Sequence, residues 1–416
     1  MLNLLKINLF FLGLVSLFAI PRFNGFTLIH FFLMFSFLIS FFYFLINIKY
    51  IKFKEMEIFI LVFGLLYVLA TIVGAIVSES YKGILSSFIF LLVYLIAFFI
   101  YKINYKLYYS FFKGFVIGAI ITAIYVIVDE IFFYLHGIPL NEYIFPKSLL
   151  GLGMHGFKNL IKIFGVILYR PSGFSWDPGI SITGLAVAFI LLNEDFVKIK
   201  FKSFFLFLLL VAMILAVSKT SILSIVIYFF IKLIQNKMIV IDERKISLLI
   251  ISFFVVLFFM MFLGLFLEYN CFEKGAGNIR HLKYLSSIFY YPYQNFFEII
   301  FGYGYTGVGV FFNKYVTWFN SMPCFYFREN LTPENTLVNL FFYGGLLGLI
   351  FWIFIFSIIL FYGNNKFRLL LIILIIIMNG YNINSVWFNF IIFSMFFISF
   401  KNYYIKRKIY YEKIIH

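Results

Sequence analysis

Arg328, Glu329 and Glu334 lie in a polar segment that runs straight into a wholly apolar stretch ending near Trp352. Pro333 suits the first turn of the helix that follows, where its missing N–H would have no partner anyway. Glu334 then stands beside the positive end of the helix dipole, which favours its ionised form. Gly345 and Gly348, three residues apart, share a helical face that a neighbouring helix can approach closely. The segment therefore reads either as a reactive carboxylate held at a membrane surface or as a loop acid capping an ordinary span.

The other chemistry-bearing residues are cations and acids scattered between apolar runs. Arg170, Lys219, Arg280 and Arg328 form one set. Arginine offers a planar fork of donors that matches phosphate oxygens two at a time. The alternative for each is a long side chain snorkelling to lipid headgroups. Arg170 leads because Pro171 and Gly173 follow it, and Lys219 is next because it falls between two spans. Carboxylates expected on the same side are Glu79, Asp129, Glu130, Glu142, Asp177, Glu268, Glu273, Glu298, Glu329 and Glu334. A general base must lie within hydrogen-bond reach of the hydroxyl it activates, and Glu334 has the best context. Asp177 reads as a cap for the next helix or a partner orienting Arg170. Asp129 and Glu130 read as the solvated terminus of a span. The run Phe301-Gly-Tyr303-Gly-Tyr305-Thr-Gly-Val-Gly309 has no strand before it, so it reads as a tight turn that lets backbone approach a ligand. His136, His155 and His281 are not at ligand spacing, and no metal or other cofactor is expected.

The elements that must position these groups are membrane helices. Of 416 residues, 64% are hydrophobic and 12% charged, about half the charged share of an average soluble domain. Apolar runs of about 20 residues recur throughout, enough to cross a bilayer core. The sequence predicts an all-α polytopic membrane protein forming a single integral domain over residues 1–416. About twelve spans are expected, near 4–20, 26–48, 57–77, 84–100, 111–135, 179–193, 203–218, 220–235, 246–267, 336–361, 368–382 and 385–400. Residues 203–235 as one helix would be roughly 50 Å long, so a break is placed at Ser218-Lys219-Thr220-Ser221. Most of the 33 lysines and arginines fall on short segments of one side, which predicts both termini on the cytoplasmic side. Clustered this way, the +16 charge is an orientation signal and excludes a nucleic-acid stripe. No small-residue cleavage site follows the first apolar run, so no cleavable signal peptide is expected.

Two outer segments are much longer than the rest, 136–178 and 268–335, and loops of that length are usually functional or disordered. Their aromatic content argues against disorder. Cys271 and Cys324 both lie on the second loop, where a disulfide or two free buried thiols are both compatible with the sequence.

Three segments together resemble the Wzy-type O-antigen polymerase and O-antigen ligase superfamily. Arg170-Pro-Ser-Gly173-Phe-Ser-Trp-Asp177-Pro178 is similar to its Arg-x-x-Gly…Pro segment. Ser218-Lys219-Thr220 is similar to a Ser-Arg-Thr-like element, followed by Arg280 and Phe301-Gly-Tyr-Gly304. Glu334-Asn335, nine residues, then Gly345-x-x-Gly348 matches the spacing of a ligase motif. The resemblance covers roughly 165–355. The ligases carry histidine where this chain has Glu334 and arginine where it has Lys219, and glutamate looks more like the polymerase branch.

The resemblance implies a GT-C-like bundle in a bacterial inner membrane, working on its periplasmic face. It implies an undecaprenyl-pyrophosphate-linked oligosaccharide as donor, with the next lipid-linked repeat unit as acceptor and the bilayer as partner, the protein working alone or with a chain-length regulator. Glu334 would take the acceptor's proton, Arg170 and Arg280 would stabilise the leaving diphosphate, and no metal would be needed. Lys219, Arg328, Asp177, Asn335 and Gly173 would line the substrate. Tyr303, Tyr305, Trp176 and Trp318 would either stack on sugars or pack at the membrane interface. A ligase moving finished chains onto lipid A–core is the second reading, and a lipid-linked oligosaccharide flippase is the third. A flippase should carry its charges at mid-membrane depth on short loops, whereas here they cluster at span ends. The sequence contains no internal repeat of the kind from which transporters are often built.

Overall fold

The computed structural model describes residues 1–19, 27–145, 160–163, 166–174, 178–238, 258–266, 282–305, 307–316, 336–380 and 385–415. It is a bundle of apolar helices. In chain order these are α1 (Leu2–Leu14), α2 (Leu28–Ile46), α3 (Glu55–Val77), α4 (Tyr81–Asn104), α5 (Tyr108–His136), α6 (Leu140–Ile144), α7 (Pro178–Asn193), α8 (Lys202–Leu215) and α9 (Lys219–Met238). There follow α10 (258–266), α11 (282–286), α12 (Phe296–Phe301), α13 (Val308–Tyr315), α14 (Thr336–Tyr343), α15 (Gly345–Tyr362), α16 (Asn365–Gly380) and α17 (Val386–Ile415).

Leu28–Ile46, Glu55–Val77, Tyr81–His136, Gly345–Tyr362 and Val386–Tyr404 are long and apolar enough to cross a bilayer. At 1.5 Å per residue the 56 residues of Tyr81–His136 would extend roughly 84 Å as one rod. Asn104 instead turns extended, and its side chain accepts from the Lys106 amide. That folds the chain back until the Tyr108 hydroxyl reaches the Ala97 carbonyl at 2.6 Å. Large apolar side chains such as Phe31, Phe42, Leu69, Phe207 and Phe230 stand more than half or nearly half exposed on these helices. In water such a surface would aggregate, and in hydrocarbon it is the natural outer face. The protein is a multi-pass membrane protein.

The break expected near Ser218 is present. α8 ends at Leu215, Val217 takes φ +47, and α9 begins at Lys219. The first long loop carries a short hairpin, β1 (Leu160–Ile163) and β2 (Val166–Tyr169), paired antiparallel with Leu160 opposite Tyr169 and Ile163 opposite Val166. One expectation needs correction: the stretch 336–361 is not one helix. It breaks at Gly344, and Gly345 takes φ +54 as α15 starts. A Cβ on Gly345 would come within 2.4 Å of the Ile299 carbonyl of α12 and one on Gly348 within 3.0 Å of the Tyr67 ring of α3, so neighbouring helices approach closely at both glycines.

Contacts between helix ends fall into two groups. At one end, Lys102 pairs with Glu57 and donates to the Lys52 carbonyl, Lys54 lies over the Tyr404 ring, and Lys401 over that of Tyr105. The same end holds the Glu194–Lys232 and Asp195–Lys202 pairs. At the other end, the Ala19 amide donates to the Phe174 carbonyl and the Ser78 hydroxyl to that of Tyr303. Successive long helices run alternately between these two ends.

The tightest crossing joins α1 to α5. A Cβ on Gly114 would lie 1.9 Å from the Phe10 carbonyl oxygen, and one on Gly13 2.2 Å from that of Phe111. Small residues are what allow two backbones to touch in this way. Gly114→Leu is expected to destabilise the protein by about 1–3 kcal/mol, read as a lowered melting temperature in detergent, whereas Ile121→Leu on an exposed position of α5 should leave it unchanged.

Candidate functional site

The stretch Tyr169–Phe174 leaves β2 and crosses the bundle end as irregular backbone. Non-helical backbone near the membrane needs partners from the protein itself, and here each is supplied by a different element. The Tyr169 hydroxyl donates to Asp129 Oδ2 on α5 at 2.9 Å, and Asp129 Oδ1 accepts the Leu140 amide at 2.8 Å. The Ser172 carbonyl accepts from the Ser181 hydroxyl on α7 at 2.5 Å. The Gly173 carbonyl accepts from Asn141 Nδ2, whose Oδ1 in turn accepts from the Tyr125 hydroxyl. Gly173 sits at φ +63, and a Cβ there would meet Thr122 at 2.9 Å. Phe174 is held by the Ala19 amide, and its ring lies 4.1 Å from that of Tyr125.

Asp129 is fully buried and is the hub of this arrangement, which corrects its reading as a solvated helix terminus. Its partners lie 11 and 40 residues downstream, beyond the reach of any local motif.

Arg170 is half-buried, and its Nε donates to the Ala216 carbonyl at 3.2 Å. Ala216 immediately precedes the break before Ser218 and Lys219. Arg170, in the first resembling segment, is thus held two residues before the second, Ser218-Lys219-Thr220. Lys219 opens α9 with its side chain exposed. Among the described residues neither Arg170 nor Lys219 has a carboxylate partner.

The glycine-rich run meets the third segment. The Tyr303 and Gly304 amides donate to the Phe342 and Tyr343 carbonyls at the end of α14, at 2.8 and 2.9 Å. Gly302 takes φ +71, and a Cβ on it would lie 2.3 Å from the Phe342 carbonyl oxygen. Its backbone thus approaches α14 and α15, where a ligand had been expected. Tyr303 and Tyr305 are 1% and 3% exposed. The Tyr305 hydroxyl is bonded to that of Tyr67, which also accepts from Trp352 Nε1, both at 3.2 Å. These rings are core, so they do not stack on sugars, and the substrate-binding expectation for them is withdrawn.

Glu334, Asn335, Arg280, Arg328, Asp177, Cys271 and Cys324 lie outside the described residues, as do Trp176 and Trp318. Among the described residues no group of three His, Cys, Asp or Glu could hold a metal.

One further acid was only a name in a list of carboxylates. Glu298 caps α12 through Asn295, and its carboxylate accepts from Tyr315, Lys314 and the Asn295 amide at 2.5, 2.9 and 3.1 Å. Burial acts to raise its pKa, yet these hydrogen bonds outweigh it and hold the group below the usual glutamate value. The motif Asn295-x-x-Glu298 is a readable capping signature; the bonds from Lys314 and Tyr315 are not local.

Comparison with protein-family models, with curated proteins and with solved structures returns no match to this chain.

Two outcomes follow for the scaffold. Asp129→Ala strands the Tyr169 hydroxyl and the Leu140 amide, each at about 1–3 kcal/mol. Backbone hydrogen exchange across 166–174 should rise well above that of α5 itself. Because the Glu298 pKa is depressed in the folded protein, its contribution is present above about 4.5 and is lost as the pH falls through the folded value. Exchange in 302–305 and 307–316 should therefore climb on acidification below that range, and Glu298→Gln should show the same exchange at neutral pH with little pH dependence.

Proposed function

We propose that this protein is a glycosyltransferase that polymerises lipid-linked repeat units of a surface polysaccharide. In this reading it has twelve crossings in a GT-C-like bundle of the bacterial inner membrane, with both termini cytoplasmic. The end bearing Arg170 faces the periplasm. The observation that carries the proposal is the meeting of Arg170 with the Ala216–Lys219 turn, two cations at one bundle end that no described carboxylate neutralises. At the opposite end Lys102, Lys232 and Lys202 are paired with Glu57, Glu194 and Asp195. A cation left unpaired beside fixed backbone is suited to an anionic ligand. A diphosphate attached to lipid would present its charge at this depth.

The reaction assigned to the site is an inverting displacement. A hydroxyl of the acceptor repeat unit attacks the anomeric carbon of the donor glycan and its proton passes to the Glu334 carboxylate. The bond from that carbon to the phosphate oxygen breaks, and the electron pair leaves with undecaprenyl pyrophosphate. Arg170 and Arg280 offset the charge that grows on the diphosphate, the kind of electrostatic stabilisation that often dominates such steps. Lys219, Arg328 and Asn335 complete the anion and acceptor contacts. Arg170 suits this role because its Nε is fixed by the Ala216 carbonyl and no described carboxylate pairs with it.

The sequence motif shared with ligases keeps transfer to lipid A–core as a second reading, and one gel separates the two. Deleting the gene should leave core bearing a single repeat unit if the protein is a polymerase and bare core if it is a ligase. An unchanged long-chain ladder in the deletion strain refutes both. In a complemented strain, Glu334→Gln, Arg170→Ala and Arg280→Ala are each expected to abolish the ladder with protein still present in the membrane. A normal ladder from Glu334→Gln removes that residue as the base.

A further inference from the structure

Residues 292–301 are built inside out for water. Gln294 and Glu298 are buried, whereas Tyr293, Phe296 and Phe297 are 73%, 77% and 56% exposed. Half-buried aromatics flank these three. The Tyr290 ring lies 6.1 Å from that of Tyr293, and the Phe301 ring 5.0 Å from that of Phe297. A chain folded in water puts its carboxylates outside and its phenylalanines inside. Large apolar side chains exposed together mark a surface that something else covers.

The segment is braced as a fixed unit. The Tyr291 hydroxyl donates to the Ile299 carbonyl at 2.7 Å, the Ile299 amide to the Asn295 carbonyl and the Gly302 amide to that of Glu298. The Glu298 carboxylate, held by Lys314 and Tyr315, keeps the polar side of α12 turned inward. α12 is also wedged against the ends of two membrane-crossing helices. A Cβ on Gly345, which opens α15, would meet the Ile299 and Ile300 carbonyls at 2.4 and 2.6 Å. One on Gly74, near the end of α3, would lie 2.8 Å from the Gly302 carbonyl. Exposed apolar side chains stand beside both contacts: Ile76 and Val77 close α3, and Leu346 and Ile350 lie in the first turns of α15. The aromatic patch therefore adjoins the belt by which these two helices face hydrocarbon.

We propose that residues 292–301 lie in the headgroup–acyl boundary of the leaflet at the Arg170 end, with Phe296 and Phe297 immersed among phospholipid chains. Tyr293, with an apolar ring and a polar tip, suits the headgroup level. A short helix that presents an apolar outer face and keeps its polar side inward lies in such a plane. Irregular backbone at that depth needs partners from the protein, and the bonds from Tyr291, Ile299 and Gly302 are of that kind. Part of the second long outer segment is thus membrane-bound and not aqueous. Glu298 ties α12 to α13, and the Tyr303 and Gly304 amides tie the next turn to α14. The bilayer surface then sets the depth of all three helices, whatever reaction the protein performs.

The test puts a diazirine-bearing phenylalanine at position 297 of the full-length protein, reconstituted in nanodiscs of palmitoyl-oleoyl phosphatidylglycerol. After irradiation the digested protein is read by mass spectrometry, since the carbene inserts into whatever touches it. Phospholipid adducts are expected to outnumber water adducts, as they should for the same probe at Ile353, an exposed position midway along α15. A majority of water adducts at 297 would place the ring in solvent and overturn the proposal. A cross-link to a peptide, from this chain or a second copy, would overturn it too, because protein would then cover the patch. The probe at Phe296 replaces that at Phe297 should the first variant fail to accumulate. None of these readouts depends on polysaccharide, so the lipid contact and the polymerase reading stand or fall separately.

Discussion

Irregular backbone at a membrane-spanning bundle's end survives only if the protein satisfies it, and Asp129 is where that requirement is met first. With both oxygens engaged, it joins α5, the start of α6 and the end of β2 in one fully buried node. Tyr169 fixes where the chain leaves the hairpin, and Arg170, the next residue, is thereby placed over the Ala216 carbonyl. Asn141, Ser181 and Ala19 then fix Gly173, Ser172 and Phe174 in turn. No single bond here exceeds the ordinary worth of a hydrogen bond. Their effect is geometric, because five elements constrain six consecutive residues.

The two ends of the bundle treat charge differently. At the end with Glu57 and Glu194 each buried acid has a lysine, and tyrosines 101 and 228 donate to the same carboxylates. Removing one partner of such a buried pair is costly because the other is left uncompensated, so these groups serve cohesion. At the Arg170 end Asp129 serves neutral donors, while Glu298 holds both Tyr315 and Lys314. Arg170 and Lys219 have no carboxylate partner among the described residues.

Hydropathy made the membrane class legible, since a run of 20 apolar residues has few other fates, and helix length together with the polar run Ser218–Ser221 located the turn before Lys219. Partners were not legible. Asp129 looks like a terminal acid in the sequence because the groups that bury it, Leu140 and Tyr169, carry no signature of their own. Tyr303 and Tyr305 look like ring platforms because they fall on an outer loop, yet the glycines beside them bring that backbone against α3 and α14. The helix expected to run unbroken through Gly345 fails for the same reason: α12 backbone occupies the space that a side chain would need. In so apolar a chain, the few polar groups are assigned by tertiary proximity, which local spacing does not encode.

One short segment joins Arg170 to a cavity whose described lining carries no charge. Arg170 stands at its start, and Ser172 and Phe174 are tied to residues that line the cavity. Four residue steps reach at most roughly 14 Å even when fully extended, so the cation and the hydroxyl-lined cavity are held close together. The pins on Tyr169, Ser172 and Gly173 then fix more than an arginine. They fix the distance between Arg170 and the hydroxyl-lined cavity.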